Sequence, residues 1–560
     1  MAKANTQNKT EFNKDTFYLG LIFLLWLIAY VACQILFDQK LGWDEISYLT
    51  TAKGIASDFD FSSRTTTTLG LLKYNFPQHT HHYPLYSAYL ALFFKLFGTS
   101  LQVAYFSTWL AALVTCIFIY LLMILLTDGN KIISFFFSVL FLFLPSILSY
   151  TDSAMMEIPG CALVTIFSYF IFKDISKGKI NPVLMGIAAM WLYFFKSTFI
   201  GVLFGFFVLV LIAHRYNLTV FKLPNKTSLS VSLISYTSTV LFLYFIFKKI
   251  VFLPLAPMMN FHRRQEELEI YADFAGGFFR DPIGNMFFNL KGLFDNVILH
   301  YLPSFLVLLI PGSEGLYTST PTWCEFGQYF IVFLFVIIFA CLSWKNLFPK
   351  QKLFILFTLV SIIIFNIVFS LIADNGVGVR SRYNLIYLPL LLISSGTLLW
   401  VNKNYLKPFI TDHKIASIFI TGTFILLIYI PYLVSSFKVS EWNKTHYHSI
   451  AHNSTQIPKK ILGELRPDFI YFHAGQHTTW DLYPVRVVLM EASNEQLKKI
   501  NSRLPHPIDF LFLYESNQLF KENQDFILKG QPIVDNWYTF YGIDPEAKII
   551  IYKLNPDKNT

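Results

Sequence analysis

Asp44 and Glu45 stand side by side in Gly42-Trp43-Asp44-Glu45-Ile46-Ser47-Tyr48, directly after the first long apolar stretch. Two adjacent carboxylates at a membrane surface can act as a general base, orient an acceptor hydroxyl or hold a divalent cation. Their plainer use is to cap a helix predicted from Glu45 to Ala56 and sit at its positive end. Glu157, in Met155-Met156-Glu157-Ile158-Pro159, lies one turn into another apolar run. A carboxylate at the lip of a span is costly unless it faces a polar cavity. Pro159 falls where the first turn of a helix tolerates it. Lys196, at the tip between two short apolar runs, invites the same argument, or else snorkels to lipid headgroups. Arg380 and Arg382, followed by Tyr383, place two guanidiniums where phosphate could be held through bidentate hydrogen bonds, with headgroup contact as the simpler use.

Other clusters point less sharply. His79, His81 and His82 precede Tyr83-Pro84-Leu85-Tyr86, but they lack the i, i+4 spacing that presents two rings on one helical face. Asp58-Phe59-Asp60 is a D-x-D triplet of a kind common by chance. The cofactor is unknown from sequence, a divalent cation being one that the carboxylates could hold. Walker A, G-x-G-x-x-G, H-E-x-x-H and G-x-S-x-G patterns do not occur.

The elements that must position these residues are dictated by composition. The 560 residues are 54% hydrophobic, 18% aromatic and only 14% charged, with mean hydropathy +0.49. Ordinary soluble domains carry about 25% charged residues, so a soluble enzyme and a disordered chain are excluded. Five cysteines, mostly in or beside apolar runs, read as packing residues without a disulfide or metal pattern. Runs able to cross a hydrocarbon core about 30 Å thick fall near 16–37, 101–126, 132–150, 156–172, 182–195, 198–213, 229–252, 328–343, 353–373, 384–401 and 415–437. The expected fold class is therefore an all-α polytopic membrane protein of about eleven spans, followed by a small C-terminal α/β domain.

Threaded alternately, these spans put the N-terminus (1–15) in the cytoplasm. The inside loops then hold Lys131; Lys173, Lys177 and Lys179; Arg215, Lys222 and Lys226; Lys345, Lys350 and Lys352; Lys403, Lys407 and Lys414. The net charge of +9 is thus read as cytoplasmic anchoring, with no nucleic acid as partner. The stretch 182–213 is read as two spans turning outside at Lys196, because a single helix of that length would reach about 48 Å. The run 296–311 is read as re-entrant or interfacial, since a crossing there would move Lys345, Lys350 and Lys352 outside. The first apolar run is too long for a cleaved signal. Outside lie the loops 38–100 and 253–327 and the tail 438–560, the tail alternating strand-like runs (Asp468 to His473, Val485 to Met490, Asp509 to Tyr514, Lys548 to Leu554) with helix-like ones (Asn494 to Ser502, Gln518 to Leu528).

Acids and cations gathered at outer span ends suit transfer from a phosphate-linked donor: a base takes the acceptor's proton while cations stabilise the departing phosphate. Nucleotide donors are made inside cells, so an outward-facing site calls for a lipid-carried one. Residue types alone do not select a sugar as the transferred group.

The order of motifs does suggest one. D-E-x-x-Y-x-x-x-A at Asp44 to Ala52, P-L-Y with downstream F-G at Pro84 to Gly98, M-E-x-P at Met156 to Pro159, Lys196 between short spans, and R-Y-x-x-x-x-x-P at Arg382 to Pro389 together resemble the GT-C superfamily of membrane glycosyltransferases. The branch they resemble contains the lipid A aminoarabinose transferases and Rgt-type core-sugar transferases, related to protein O-mannosyltransferases. The resemblance covers residues 16 to 437. It implies a helical membrane core with interfacial helices in the first loop, an extracytoplasmic C-terminal domain (438–560), and location in a bacterial inner membrane. By the same resemblance Asp44 with Glu45 is the catalytic base, Glu157 (or Asp152) the second acid, and Arg382 with Tyr383 the donor-phosphate contact. The implied reaction moves a sugar, with inversion, from a polyprenyl-phosphate donor to a glycan, lipid or protein acceptor of the envelope. Relatives often carry a basic residue and a second proline where this chain has His81-His82-Tyr83, so donor contacts at His82 depart from the pattern. A transporter of lipid-linked saccharides is the alternative, although no halves repeat as transporter folds often do; a non-catalytic scaffold is a third.

Overall fold

A computed structural model describes residues 2–36, 43–59, 65–66, 85–151, 153–216, 225–247, 320–372, 384–403, 469–472, 486–488, 492–502, 504, 507–513, 515, 517–544 and 549–555. In chain order the elements are α1 (Ala2–Leu36), α2 (Trp43–Asp58), β1 (Thr65–Thr66), α3 (Leu85–Phe97), α4 (Leu101–Leu126), α5 (Lys131–Phe143), α6 (Pro145–Thr151), α7 (Glu157–Ile175), α8 (Pro182–Phe195), α9 (Ile200–Ala213), α10 (Asn225–Ile246), α11 (Thr320–Ser343), α12 (Pro349–Ile372) and α13 (Leu388–Val401). Then follow β2 (Phe469–Phe472), β3 (Arg486–Val488), α14 (Asn494–Asn501), β4 (Phe510–Leu513), α15 (Gln518–Glu522), α16 (Gln524–Leu528), β5 (Tyr538–Asp544) and β6 (Ile549–Leu554). The chain divides into two compact units, one of Met1–Phe37, Tyr105–Val251 and His262–Val439, the other of Asp38–Ala104, Phe252–Phe261 and Ser440–Thr560.

Five helical stretches among the described residues are long and apolar enough to cross a bilayer: Asp15–Ile35, Leu101–Leu126, Glu157–Ile175, Leu229–Ile246 and Pro349–Val368. Shorter apolar helices occupy five further expected spans: Lys131–Phe143, Pro182–Phe195, Ile200–Ile212, Val332–Asn346 and Leu385–Val401. Helices satisfy their own backbone groups, which lipid cannot do, so a chain carrying this set is an integral membrane protein. The expected span 415–437 and the run 296–311 lie outside the described residues.

Two helix breaks are instructive. The stretch 132–150, expected as one span, is two helices parted at Leu144, whose extended backbone (φ −64°, ψ 132°) precedes Pro145. A proline pushes the residue before it out of the helical region. The stretch 182–213 does break at Lys196, which is extended at φ −156° and ψ 130°.

One end of this bundle is tied by charge. Asp15 of α1 takes Lys131 at 2.9 Å and accepts from the Tyr120 hydroxyl at 3.0 Å. Lys350, opening α12, meets Asp128 at 2.8 Å and donates to the Leu125 carbonyl at 2.8 Å, while Gln351 donates to Leu126 O at 2.7 Å. These bonds satisfy carbonyls that the C-terminus of α4 leaves orphaned. They also bring together three segments, 15, 127–131 and 349–352, that the threading assigns to one side.

α9 packs closely on α12 because Gly201 and Gly205, one turn apart, leave room for the other helix's backbone. A Cβ at Gly201 would collide with the Ser361 carbonyl oxygen and come 2.8 Å from Phe365 Cβ; at Gly205 it would strike the Ser361 hydroxyl. Gly201→Ala is therefore expected to force α9 and α12 apart at a cost of about 1–3 kcal/mol or more. A thermal midpoint in detergent equal to that of the parent protein would contradict this packing.

The second unit combines a helix pair with a mixed sheet. α2 and α3 pack together through Ile46, Leu49 and Ala52 on one side and Tyr86, Leu90 and Phe94 on the other, all buried. Tyr48 meets Tyr86 edge to face at 5.1 Å. The sheet order is β1-β3-β2-β4-β6-β5, with β1, β3, β2 and β4 parallel and β6 and β5 antiparallel. One face of the sheet is covered by Leu497 and Ile500 of α14, Leu519 and Phe520 of α15 and Ile527 of α16, packed on Leu511, Leu513, Tyr552 and Leu554. Inside that core Asn501 donates to the Tyr538 hydroxyl at 2.8 Å, which donates to Ile508 O at 2.9 Å. A buried Tyr with its hydroxyl satisfied fixes how β5 sits against α14.

Candidate active site

Glu157 opens α7, where the positive end of the helix favours a carboxylate. Lys196 terminates α8, its N–H donating to Leu192 O at 3.0 Å before a single 3₁₀ turn, Ser197–Phe199, leads into α9. The two side chains meet at 2.6 Å, with Glu157 fully buried and Lys196 only 8% exposed. The lysine therefore does not snorkel; it neutralises an acid inside the protein, as a buried charge requires.

The surroundings follow from small residues and short turns. Gly160, one turn into α7, lets Phe199 approach so closely that a Cβ there would lie 2.8 Å from the ring. Against the same turn packs Leu385–Tyr387, a 3₁₀ segment entering α13. Cys161 donates its thiol hydrogen to Leu385 O at 3.4 Å, and the Tyr387 hydroxyl donates to Thr198 O at 2.9 Å. Asn366 of α12 donates to the Asn384 side-chain oxygen at 3.2 Å. Two buried oxygens at this end of the bundle, Glu157 Oε2 and Thr198 Oγ1, have no hydrogen-bond partner among the described residues. Thr198, Tyr387, Asn366 and Asn384 were not singled out by sequence reading. The signal available was an uncharged amide inside an apolar run, as at Asn366.

The remaining expected site residues divide between the other unit and the undescribed stretches. Asp44 and Glu45 lie in the first turn of α2, which begins at Trp43. Glu45 is buried, 2% exposed. His82, Arg380, Arg382 and Tyr383 lie outside the described residues, as do His79, His81, Asp60 and Asp152. Among the described residues no group of three or more His, Cys, Asp or Glu side chains could hold a metal ion.

Chemically, an ion pair at 2.6 Å is nearly neutral at a distance, so an incoming anion gains little from Lys196. The unmet Glu157 oxygen has the chemistry to accept a hydrogen bond from a hydroxyl, an amine or water.

No family model and no curated protein matches this sequence. Solved structures do. The crystal structure of ArnT from Cupriavidus metallidurans bound to undecaprenyl phosphate matches over 96% of this chain and 98% of its own, with TM-score 0.51 at 11% identity. The same protein in the apo state matches over 96% and 97%, with TM-score 0.51 at 12% identity. With its helical membrane core and C-terminal mixed sheet, the chain has an ArnT-like fold.

Proposed function

We propose that this protein is a glycosyltransferase that moves a hexosyl or pentosyl unit, with inversion, from a polyprenyl-phosphate-linked donor to an acceptor of the bacterial cell envelope. The acceptor is lipid A or another lipopolysaccharide component, a polysaccharide or a protein, and the reaction takes place on the outer face of the inner membrane. The observation that carries this reading is a fold shared over 96% of the chain with a protein whose crystal structure holds undecaprenyl phosphate. Asp44 acts as base on the acceptor hydroxyl; an inverting displacement then transfers the sugar's anomeric carbon to that oxygen as the phosphate leaves. Arg380 and Arg382 stabilise the phosphate's charge, a task the neutralised Lys196 is poorly suited to share. Glu157, held by Lys196, accepts a hydrogen bond from a sugar or acceptor hydroxyl. A divalent cation held by Asp44 and Glu45 is retained as a proposed cofactor.

The test is reconstitution in liposomes with a polyprenyl-phosphate sugar and envelope extracts. A mass increment of one sugar residue on an acceptor is expected. Movement of intact donor across the bilayer with no such increment would instead identify a transporter of lipid-linked saccharides.

A further inference from the structure

β1 lies far outside the tail in sequence, yet it completes the tail's sheet. Thr65 pairs with Val487 and Thr66 with Val488 in parallel register along β3. Without it β3 would present an open edge at that end of the sheet, a site prone to wrong pairing. Threonine and valine are residues that a strand favours. β1 is part of the connection between α2 and α3, and it also touches α2. It follows the last residue of α2 by seven positions, a link that reaches at most about 25 Å. α2 itself cannot shift freely, since Ile46, Leu49 and Ala52 are locked on α3. Helix, strand and sheet edge thus form one connected body, with Asp44 in the first turn of its helix.

We infer that the C-terminal domain serves as a holder for the first loop: its β3 edge grips Thr65–Thr66 and thereby fixes the pose of α2 and the bearing of Asp44. Thr65 and Thr66 are positioning residues that act through backbone pairing and touch no substrate. A clasp of two residue pairs is weak alone, so it depends on the α2–α3 packing beside it. A strand clasp accounts for a tail that carries no catalytic motif of its own, and it makes the tail inseparable from the loop it holds. For activity, this inference rests on the glycosyltransferase reading.

The experiment uses the full-length protein in membranes. With Thr65→Cys and Val487→Cys, a short bismaleimide is expected to give an intramolecular cross-link that weakens when Thr66→Pro takes one of the two backbone donors from this two-residue strand; no cross-link in the paired-cysteine protein overturns the clasp. Separately, labelling of Asp44→Cys by a maleimide is expected to change several-fold on adding Thr66→Pro and to stay constant on adding Thr66→Val. Equal rates in all three overturn the positioning role, whatever the activity. In transfer assays Thr66→Pro is expected to lower kcat about tenfold or more, as misplacement of a catalytic group does, with donor KM little changed and Thr66→Val near the parent. Unchanged kcat in Thr66→Pro also overturns the role. If the parent protein transfers nothing, the glycosyltransferase reading fails, and cross-linking and labelling still decide the clasp.

Discussion

Lys196→Met is expected to destabilise the protein by about 3–5 kcal/mol, because it strands a buried carboxylate. Glu157 is fully buried and bonded to Lys196 at 2.6 Å, and its other oxygen already lacks a partner among the described residues. Deprived of the lysine, the acid must be protonated or remain charged without compensation, and either state is costly. Glu157→Gln is expected to be costly as well, since it removes the carboxylate that Lys196 meets at 2.6 Å. The double variant Glu157→Gln/Lys196→Met should recover much of the loss, as neutral groups of similar size often replace a buried pair with little penalty. Thermal midpoints of the four proteins in detergent test this, and losses that simply add would show that the pair is not an energetic unit. Transfer activity separates the two roles. If Glu157 accepts a hydrogen bond from substrate, the double variant regains stability and remains poorly active; full activity in it would confine the pair to folding.

The contrast between what could and could not be read in the sequence has a physical basis. Spans are legible because hydrocarbon imposes length and apolarity on each helix independently of the rest. The turn at Lys196 followed from the same rule, since a helix of residues 182–213 overshoots the bilayer. Leu144 was legible in principle through Pro145, but the apolar run across it hides the break. Glu157 and Lys196 could each be marked as expensive within an apolar stretch, but not as partners. They are 39 positions apart, and their meeting depends on how α7 and α8 pack. β1 was illegible for a related reason: two threonines carry no periodicity, and their partner strand begins more than 400 residues later. β5, Tyr538–Asp544, was hidden by the irregularity between Phe540 and Gly542, which disturbs the alternation that marks a strand. The strands β2, β3, β4 and β6, which lie within expected strand-like segments, were legible.

Asp44→Asn is expected to lower transfer by about 10²- to 10⁴-fold, the usual contribution of a positioned general base, without loss of membrane insertion or of thermal stability. The amide keeps the size of the side chain and its place in the first turn of α2, so the change falls on proton acceptance alone. Glu45→Gln should behave oppositely. Its parent side chain is 2% exposed, so altering it disturbs packing and hydrogen bonding, lowers the melting midpoint, and affects turnover only as far as α2 is displaced. Asp44→Glu, longer by one methylene, should retain a measurable fraction of activity, because the base remains and only its reach is wrong. Measured kcat and KM for the three variants, with melting curves on the same preparations, decide the assignment: an Asp44→Asn protein with parental kcat removes Asp44 from the chemistry. A large loss of kcat in Glu45→Gln with unaltered melting would transfer the role of base to its neighbour.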